Sequence, residues 1–220
     1  MTRKQSYPEI REAVAKLCAR FPGEYWRDLD RRMAYPSEFV GALTEAGWLS
    51  VLIPEEYGGA GLPLSAAAAV LEEIQRAGCN GGACHAQMYT MGTVLRHGSE
   101  AQKRRHLPEI AAGRLRLQAF GVTEPTSGTD TSSLKTTARR EGDHFIVRGQ
   151  KIWTSRAEYS DLMLLLARTT PIAESAKRTD GLSVLIVDMR DAIGRGLSIR
   201  PIRTMMNHAT TEVFFDDLKV

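Results

Sequence analysis

The sequence predicts an α+β chain built from two modules, an all-helical one over residues 1–116 and a mostly antiparallel β one over residues 117–220. Three observations carry this reading. Before about residue 115, apolar residues recur at helical spacing and glycines fall where helices should stop. After it, the apolar period switches to two and β-branched residues dominate. A chain of 220 residues is also long enough to bury a substantial core, as one large domain or two small ones.

Taken in order, "YPSEFVGALTEAG" offers Ser37 as an N-cap and Gly47 as a stop. "LPLSAAAAVLEEIQRAG" follows the same plan, rich in Ala and Leu and closed by Gly78. In "HGSEAQKRRHLPEIAAG", Gly98 ends one helix, Ser99 and Gln102 stand at capping-box spacing for the next, and Gly113 stops it. Pro108 inside that pattern predicts a break or kink. "RLRLQAF" reads as a strand entering a core, and "LKTTARREGDHFIVRGQKIWTS" as two strands joined by a tight turn at Glu141, Gly142 and Asp143. "DLMLLLART", "GLSVLIVDM", "LSIRPI" and "TEVFFDDLKV" are further strands, and "TTPIAESAKRTDG" is a long polar connection expected to be mobile. There is no internal repeat or low-complexity tract.

The hydrophobic fraction of 43% and charged fraction of 25% are ordinary for a globular protein. A net charge of +3, with basic residues spread rather than striped, argues against a nucleic-acid partner. Three cysteines, Cys18, Cys79 and Cys84, at irregular spacing argue against a disulfide framework and for a reducing compartment. The N-terminal stretch "MTRKQSYPEIREAVAKLC" is charged and is not expected to be a signal peptide. The longest apolar run, "LSAAAAVL", soon meets Glu72 and Glu73, so no membrane span is expected and the expected location is cytoplasmic.

Several motifs carry little chemistry. "CNGGACHAQ" places Cys79, Cys84 and His85 close together but lacks a second ligand pair at zinc-site spacing, so a glycine-containing turn leading into a helix is preferred and no metal is expected. "KRRH", Lys103 to His106, reads as a solvated helix face, with phosphate docking unforced. No phosphate-binding glycine loop and no Gly-x-Ser-x-Gly elbow is present. His85, His97, His106, His144 and His208 have no nucleophile partner that sequence nominates, and each is expected near the surface or behind a site.

Two stretches remain. "GVTEPTSGTD" sets hydroxyls and exposed backbone N–H groups in a glycine-containing turn, which can point several donors at one anion or carbonyl. A solvated loop is the competing reading. In "KIWTS", the aromatic face of Trp153 adjoins two hydroxyls, Thr154 and Ser155, which suits a flat heteroaromatic ligand.

Together, "AFGVTEPTSGTD" and the "GQKIWTS" that follows it resemble the acyl-CoA dehydrogenase family. "AGWLSVLIPEEYGGAGLPLSAAAAVLEEI" is similar to that family's N-terminal helical region, and "NHATTEVFFDDLKV" to the end of its middle β domain. The resemblance spans almost the whole chain, in order.

It implies a helical N-terminal domain and an antiparallel, β-barrel-like middle domain, without the family's C-terminal four-helix bundle. It also implies FAD as cofactor and an acyl-CoA thioester as substrate, oxidised between Cα and Cβ to trans-2-enoyl-CoA. A carboxylate takes the α-proton and flavin N5 receives the β-hydrogen as hydride. Carried over residue by residue, Phe120, Val122 and Thr123 would line the flavin edge, with the Thr123 hydroxyl and backbone N–H groups on the pyrimidine ring. Thr129 stands where the family has serine, on the pyrophosphate and CoA side, so it would touch both cofactor and substrate. Trp153 would pack on the isoalloxazine with Thr154 beside it, and Ser155 would offer its hydroxyl to N5 where the family often has threonine. Glu124 and Asp130 are expected to fix the loop through hydrogen bonds rather than to act as bases.

The family's catalytic glutamate lies in its C-terminal helical domain, so no catalytic residue is assigned on this chain, and by itself it is expected to be a poor catalyst. The surface that would meet that domain is expected to be apolar, so that the chain by itself self-associates or is unstable. The implied partners are an acyl-CoA, an electron-transfer flavoprotein as acceptor, and further subunits of a homo- or hetero-oligomer. Two other readings stay open: an acyl-CoA oxidase or flavin monooxygenase of the same fold, and a non-catalytic partner subunit.

Overall fold

The computed structural model describes residues 6–220, so the first five residues of the charged N-terminal stretch lie outside the described residues. The chain divides into two compact units, one ending at Arg116 and one beginning at Leu117.

The first unit holds helices α1 (Pro8–Cys18), α2 (Gly23–Arg32), α3 (Ser37–Glu45), α4 (Leu64–Arg76), α5 (Gly82–His97) and α6 (Glu100–Ala111). In α1, Val14, Leu17 and Cys18 repeat at three- and four-residue spacing and are buried, packing the helix against α4. Arg11 adds an ion pair to Glu72 across the same contact at 2.6 Å. Helix α5 buries residues around most of its circumference, among them Ala83, Cys84, Gln87, Met91 and Val94, as befits a helix enclosed by its neighbours. The capping box of α6 forms: Gln102 N–H donates to Ser99 Oγ at 3.2 Å, and Ser99 N–H donates to Gln102 Oε1 at 2.9 Å. Gly47, Gly78 and Gly113 each follow a helix with a left-handed backbone, φ 76°, 75° and 72°.

Three local expectations are corrected here. Ser37 is the first helical residue of α3; the cap position is Pro36, and no side chain caps the helix. Proline has no side-chain acceptor, so the first-turn N–H groups of α3 receive no side-chain cap there. Helix α6 runs through Pro108 without a break. The proline removes one backbone donor, and the capping box together with buried Leu107 and Ile110 outweighs that loss. His106, expected on the solvated face of "KRRH", is buried, because it shares the inward face of α6 with those two residues.

The second unit is one sheet of seven strands: β1 (Leu117–Gly121), β2 (Thr137–Glu141), β3 (His144–Ser155), β4 (Leu162–Arg168), β5 (Leu182–Asp188), β6 (Leu197–Pro201) and β7 (Thr210–Lys219). The order is β1-β4-β2-β3-β7-β6, with β5 on β4. The β2–β3 hairpin closes through Gly142 and Asp143, Glu141 itself pairing with His144. The long connection after β4 carries a short 3-10 turn at Ile172–Glu174. Ala119, Ala138, Val147, Met163, Leu165, Val187, Val213 and Phe215 form the core of the sheet's inner face.

The sheet is mostly antiparallel, as expected, with four antiparallel strand pairings, but it is mixed, because two pairings are parallel. β1 and β4 run parallel, with Phe120 opposite Leu164 and Gly121 opposite Leu165, and β2 touches β4 in the same sense at Thr137 and Arg168. The chain leaves β1, makes the β2–β3 hairpin, and returns beside β1 in its original direction. A run as continuously apolar as "LMLLLA" fits a strand covered on both faces, and six of the seven β4 residues are buried. Among the described residues, no helix is long and apolar enough to cross a membrane.

Candidate functional site

β1 delivers the chain into the loop of residues 122–136, whose shape follows from one buried ion pair. Glu124 and Lys151 are both buried, and Lys151 Nζ donates to Glu124 Oε1 at 2.9 Å and to the Val122 carbonyl at 3.0 Å. The Glu124 carboxylate also accepts the backbone N–H groups of Lys135 at 2.6 Å and Thr136 at 2.9 Å. Burial pushes this carboxyl up, but the hydrogen bonds from Thr136, Lys135 and Lys151 prevail and hold it below the usual range. Burial pushes the Lys151 ammonium down, and Glu124 opposes that shift. The pair is a structural clamp.

Between these anchors, Glu124 and Ser127 exchange backbone hydrogen bonds of 2.9 and 3.1 Å, closing a tight turn around Pro125 and Thr126. Ser127 Oγ donates to the Asp130 carbonyl, and the Asp130 carboxylate accepts the hydroxyls of Ser132 and Ser133. Those two hydroxyls lower the Asp130 pKa. Thr129 and Gly128 are exposed at the tip. A third tie, Ile152 N–H to the Thr123 carbonyl at 2.8 Å, stitches the loop to β3. At its far end, buried Arg168 donates to the Ser132 carbonyl at 2.8 Å.

On β3 the ladder to β7 slips between Lys151 and Thr154. Trp153 sits in this bulge with a left-handed backbone, φ 60°, and is 57% exposed, while Lys151 and Thr154 on either side are buried. Bulges re-aim side chains in this way. A left-handed backbone is unfavourable for a bulky residue, so the surrounding pairing imposes it. The Thr154 hydroxyl is buried without a hydrogen-bond partner rather than displayed beside the indole, and the Thr154 carbonyl accepts the Thr211 hydroxyl at 2.8 Å. Ser155 is half-buried, and its Oγ accepts a hydrogen bond from Asn207 Nδ2 at 3.0 Å.

The bulge and the loop therefore lie along one stitched edge. Phe120, Val122 and Thr123 are half-buried on the β1 side, and Trp153 and Ser155 stand on the β3 side. An exposed indole two residues from a hydroxyl is chemically suited to a flat heteroaromatic group. Two contributors carry no sequence signal: Lys151, whose burial is invisible in "GQK", and Asn207, which reads only as a turn residue. The unit also has a cavity of about 650 Å³, walled by Leu134, Arg139, Ile146, Arg168 and Ile172 among others, that none of the candidate residues lines.

In the first unit, the Cys79 thiol lies 3.9 Å from the Cys18 carbonyl, and His85 rests on the ring of Tyr89 at 5.2 Å. Among the described residues, no three His, Cys, Asp or Glu side chains are grouped to hold a metal ion.

Comparison with known proteins bears on the whole chain. The acyl-CoA dehydrogenase N-terminal domain matches residues 5–114 and the acyl-CoA dehydrogenase middle domain matches residues 119–218. Acyl-CoA dehydrogenase FadE26 of Mycobacterium tuberculosis is 36% identical over 97% of this chain and 50% of its own length. Glutaryl-coenzyme A dehydrogenase in complex with glutaryl-CoA superposes with a TM-score of 0.87 at 29% identity, over 100% of this chain and 56% of that one. The ChsE4–ChsE5 complex of Mycobacterium tuberculosis superposes at 0.82 with 33% identity, over 100% and 56%. The chain spans about half the length of the curated relatives it matches. With both domain models matched in order and a mixed β unit following a helical one, the chain belongs to the acyl-CoA dehydrogenase family.

Proposed function

We propose that this chain is the N-terminal and middle portion of an FAD-dependent acyl-CoA dehydrogenase, acting on an acyl-CoA thioester by α,β-dehydrogenation. The observation that carries the proposal is Trp153, held outward on a left-handed bulge beside the Ser155 hydroxyl. A flavin bound there would supply the oxidising equivalent that takes the β-hydrogen as hydride. Trp153 would stack on the ring, and Phe120, Val122 and Thr123 would border its edge. Ser155 would donate its hydroxyl proton at N5. Thr129, exposed in the same loop, would meet the pyrophosphate and CoA side.

The α-proton base is proposed to come from a part of the protein that the relatives possess beyond the half matched here, with an electron-transfer flavoprotein as acceptor. A specific observation favours a two-subunit arrangement: one structural relative is itself a complex of two named chains, ChsE4 and ChsE5.

Flavin binding by a Trp153→Ala variant tests the proposal, with weaker affinity and an altered flavin absorbance band expected. Unchanged affinity and spectrum would show that Trp153 does not carry the site.

A further inference from the structure

We propose that Asn207 is the positioning residue for Ser155, fixing the hydroxyl so that its proton is donated outward to the ligand over Trp153. This rests on the flavin-binding reading above. Asn207 Nδ2 donates to Ser155 Oγ at 3.0 Å. An amide nitrogen has no lone pair to offer, so this bond occupies the acceptor side of the hydroxyl and leaves its O–H for another partner. The orientation of Asn207 thus decides whether Ser155 acts as a donor or an acceptor.

The local backbone is built to hold that orientation. Asn207 adopts the left-handed conformation, φ 57°, that asparagine tolerates better than most residues. Its carbonyl accepts the Thr210 N–H at 3.1 Å and the Thr210 hydroxyl at 2.7 Å. Arg156 N–H donates to the Ala209 carbonyl at 2.7 Å, tying the same turn to the end of β3. Trp153 and Arg156, on either side of Ser155, are left-handed as well, φ 60° and 62°. Non-glycine residues persist in that region only where the surroundings over-determine them, and such clusters mark places where geometry matters. A hydroxyl fixed in advance stabilises charge at its acceptor without reorganising.

The test uses the flavin-loaded holoprotein and four variants: Asn207→Gly, Asn207→Asp, Ser155→Ala and the double variant Asn207→Gly/Ser155→Ala. Glycine keeps the left-handed backbone and removes only the amide, so folding is preserved. Flavin dissociation constant and flavin midpoint potential are the readouts. Ser155→Ala is expected to weaken flavin binding about fivefold, the equivalent of one net hydrogen bond. Asn207→Gly should reproduce a large part of that loss and shift the potential in the same direction. In the Ser155→Ala background, Asn207→Gly should add nothing, because it acts through the missing hydroxyl. Asn207→Asp, which can only accept, should turn the Ser155 proton inward and bind flavin more weakly than Asn207→Gly.

Additive effects in the double variant would overturn the proposal, as would an Asn207→Gly protein with unaltered affinity and potential. An unaltered protein that takes up no added flavin would overturn the functional reading, and this inference with it.

Discussion

Lys151 and Glu124 form a buried ion pair at 2.9 Å that joins β3, the strand carrying Trp153, to the loop carrying Thr123 and Thr129. Close packing accompanies it: a Cβ on Gly121 would lie 3.2 Å from Lys151 Cγ. This charge pair is one of the ties, with the Ile152–Thr123 backbone hydrogen bond, that hold the two halves of the candidate site in register, and the first prediction concerns its removal. Lys151→Met leaves Glu124 buried without its counter-charge and is expected to destabilise the protein by about 3 kcal/mol. Urea unfolding of the second unit's tryptophan signal measures this. A loss below about 1 kcal/mol, the scale of an exposed pair, would mean the pair is solvated in solution.

Acid sensitivity follows from the same carboxylate. Glu124 has a folded pKa below its ordinary 4.5, through the hydrogen bonds from Thr136, Lys135 and Lys151 that overcome the effect of burial. A carboxyl depressed on folding contributes stability above its unfolded pKa and loses it as pH falls through the folded one. Asp217, lowered by Arg148, acts in the same sense. Thermal midpoints should be flat above about pH 5 and fall at lower pH. The fall should be shallower for Glu124→Gln, and identical slopes in the two proteins would remove Glu124 from the account.

Trp153 separates binding from stability. Because it is exposed and left-handed, Trp153→Gly relieves backbone strain and gives up little burial. The variant is expected to be as stable or more stable, by up to about 1 kcal/mol of unfolding free energy, while losing flavin. A markedly less stable variant would show that the indole packs as core in solution.

The three thiols should be inert in the native protein. Burial pushes the Cys84 thiol up to about 12, and Cys18 likewise to about 12. Cys79 is buried beside Cys18. A disulfide-exchange reagent at neutral pH should titrate none of them until denaturant is added. Rapid labelling of any one in the folded state would place it outside the helical core.

Much of the fold was legible because its signals are local. The left-handed stops at Gly47, Gly78 and Gly113, the Ser99–Gln102 capping box and the Gly142–Asp143 hairpin each depend on a few adjacent residues. Pro108 was misleading because a local penalty was outweighed by burial of Leu107 and Ile110, which only packing supplies. Ser37 was misleading because a neighbouring proline took the cap position. Within the candidate site, Trp153 and Ser155 could be named from their chemistry. Lys151 and Asn207 could not, since their partners lie 27 and 52 residues away in sequence.

By itself, then, the sequence determined the two modules, the switch from helical to strand period near residue 115, and the motifs that place the chain in its family. Only the tertiary structure decided that β4 lies parallel to β1, that Glu124 and Lys151 neutralise each other in the interior, and that a bulge turns Trp153 out while Thr154 turns in. The reason is physical. Periodicity records how residues alternate between core and solvent along one segment, whereas strand direction, charge pairing and bulge position arise when distant segments meet and must satisfy one another's backbone and charge.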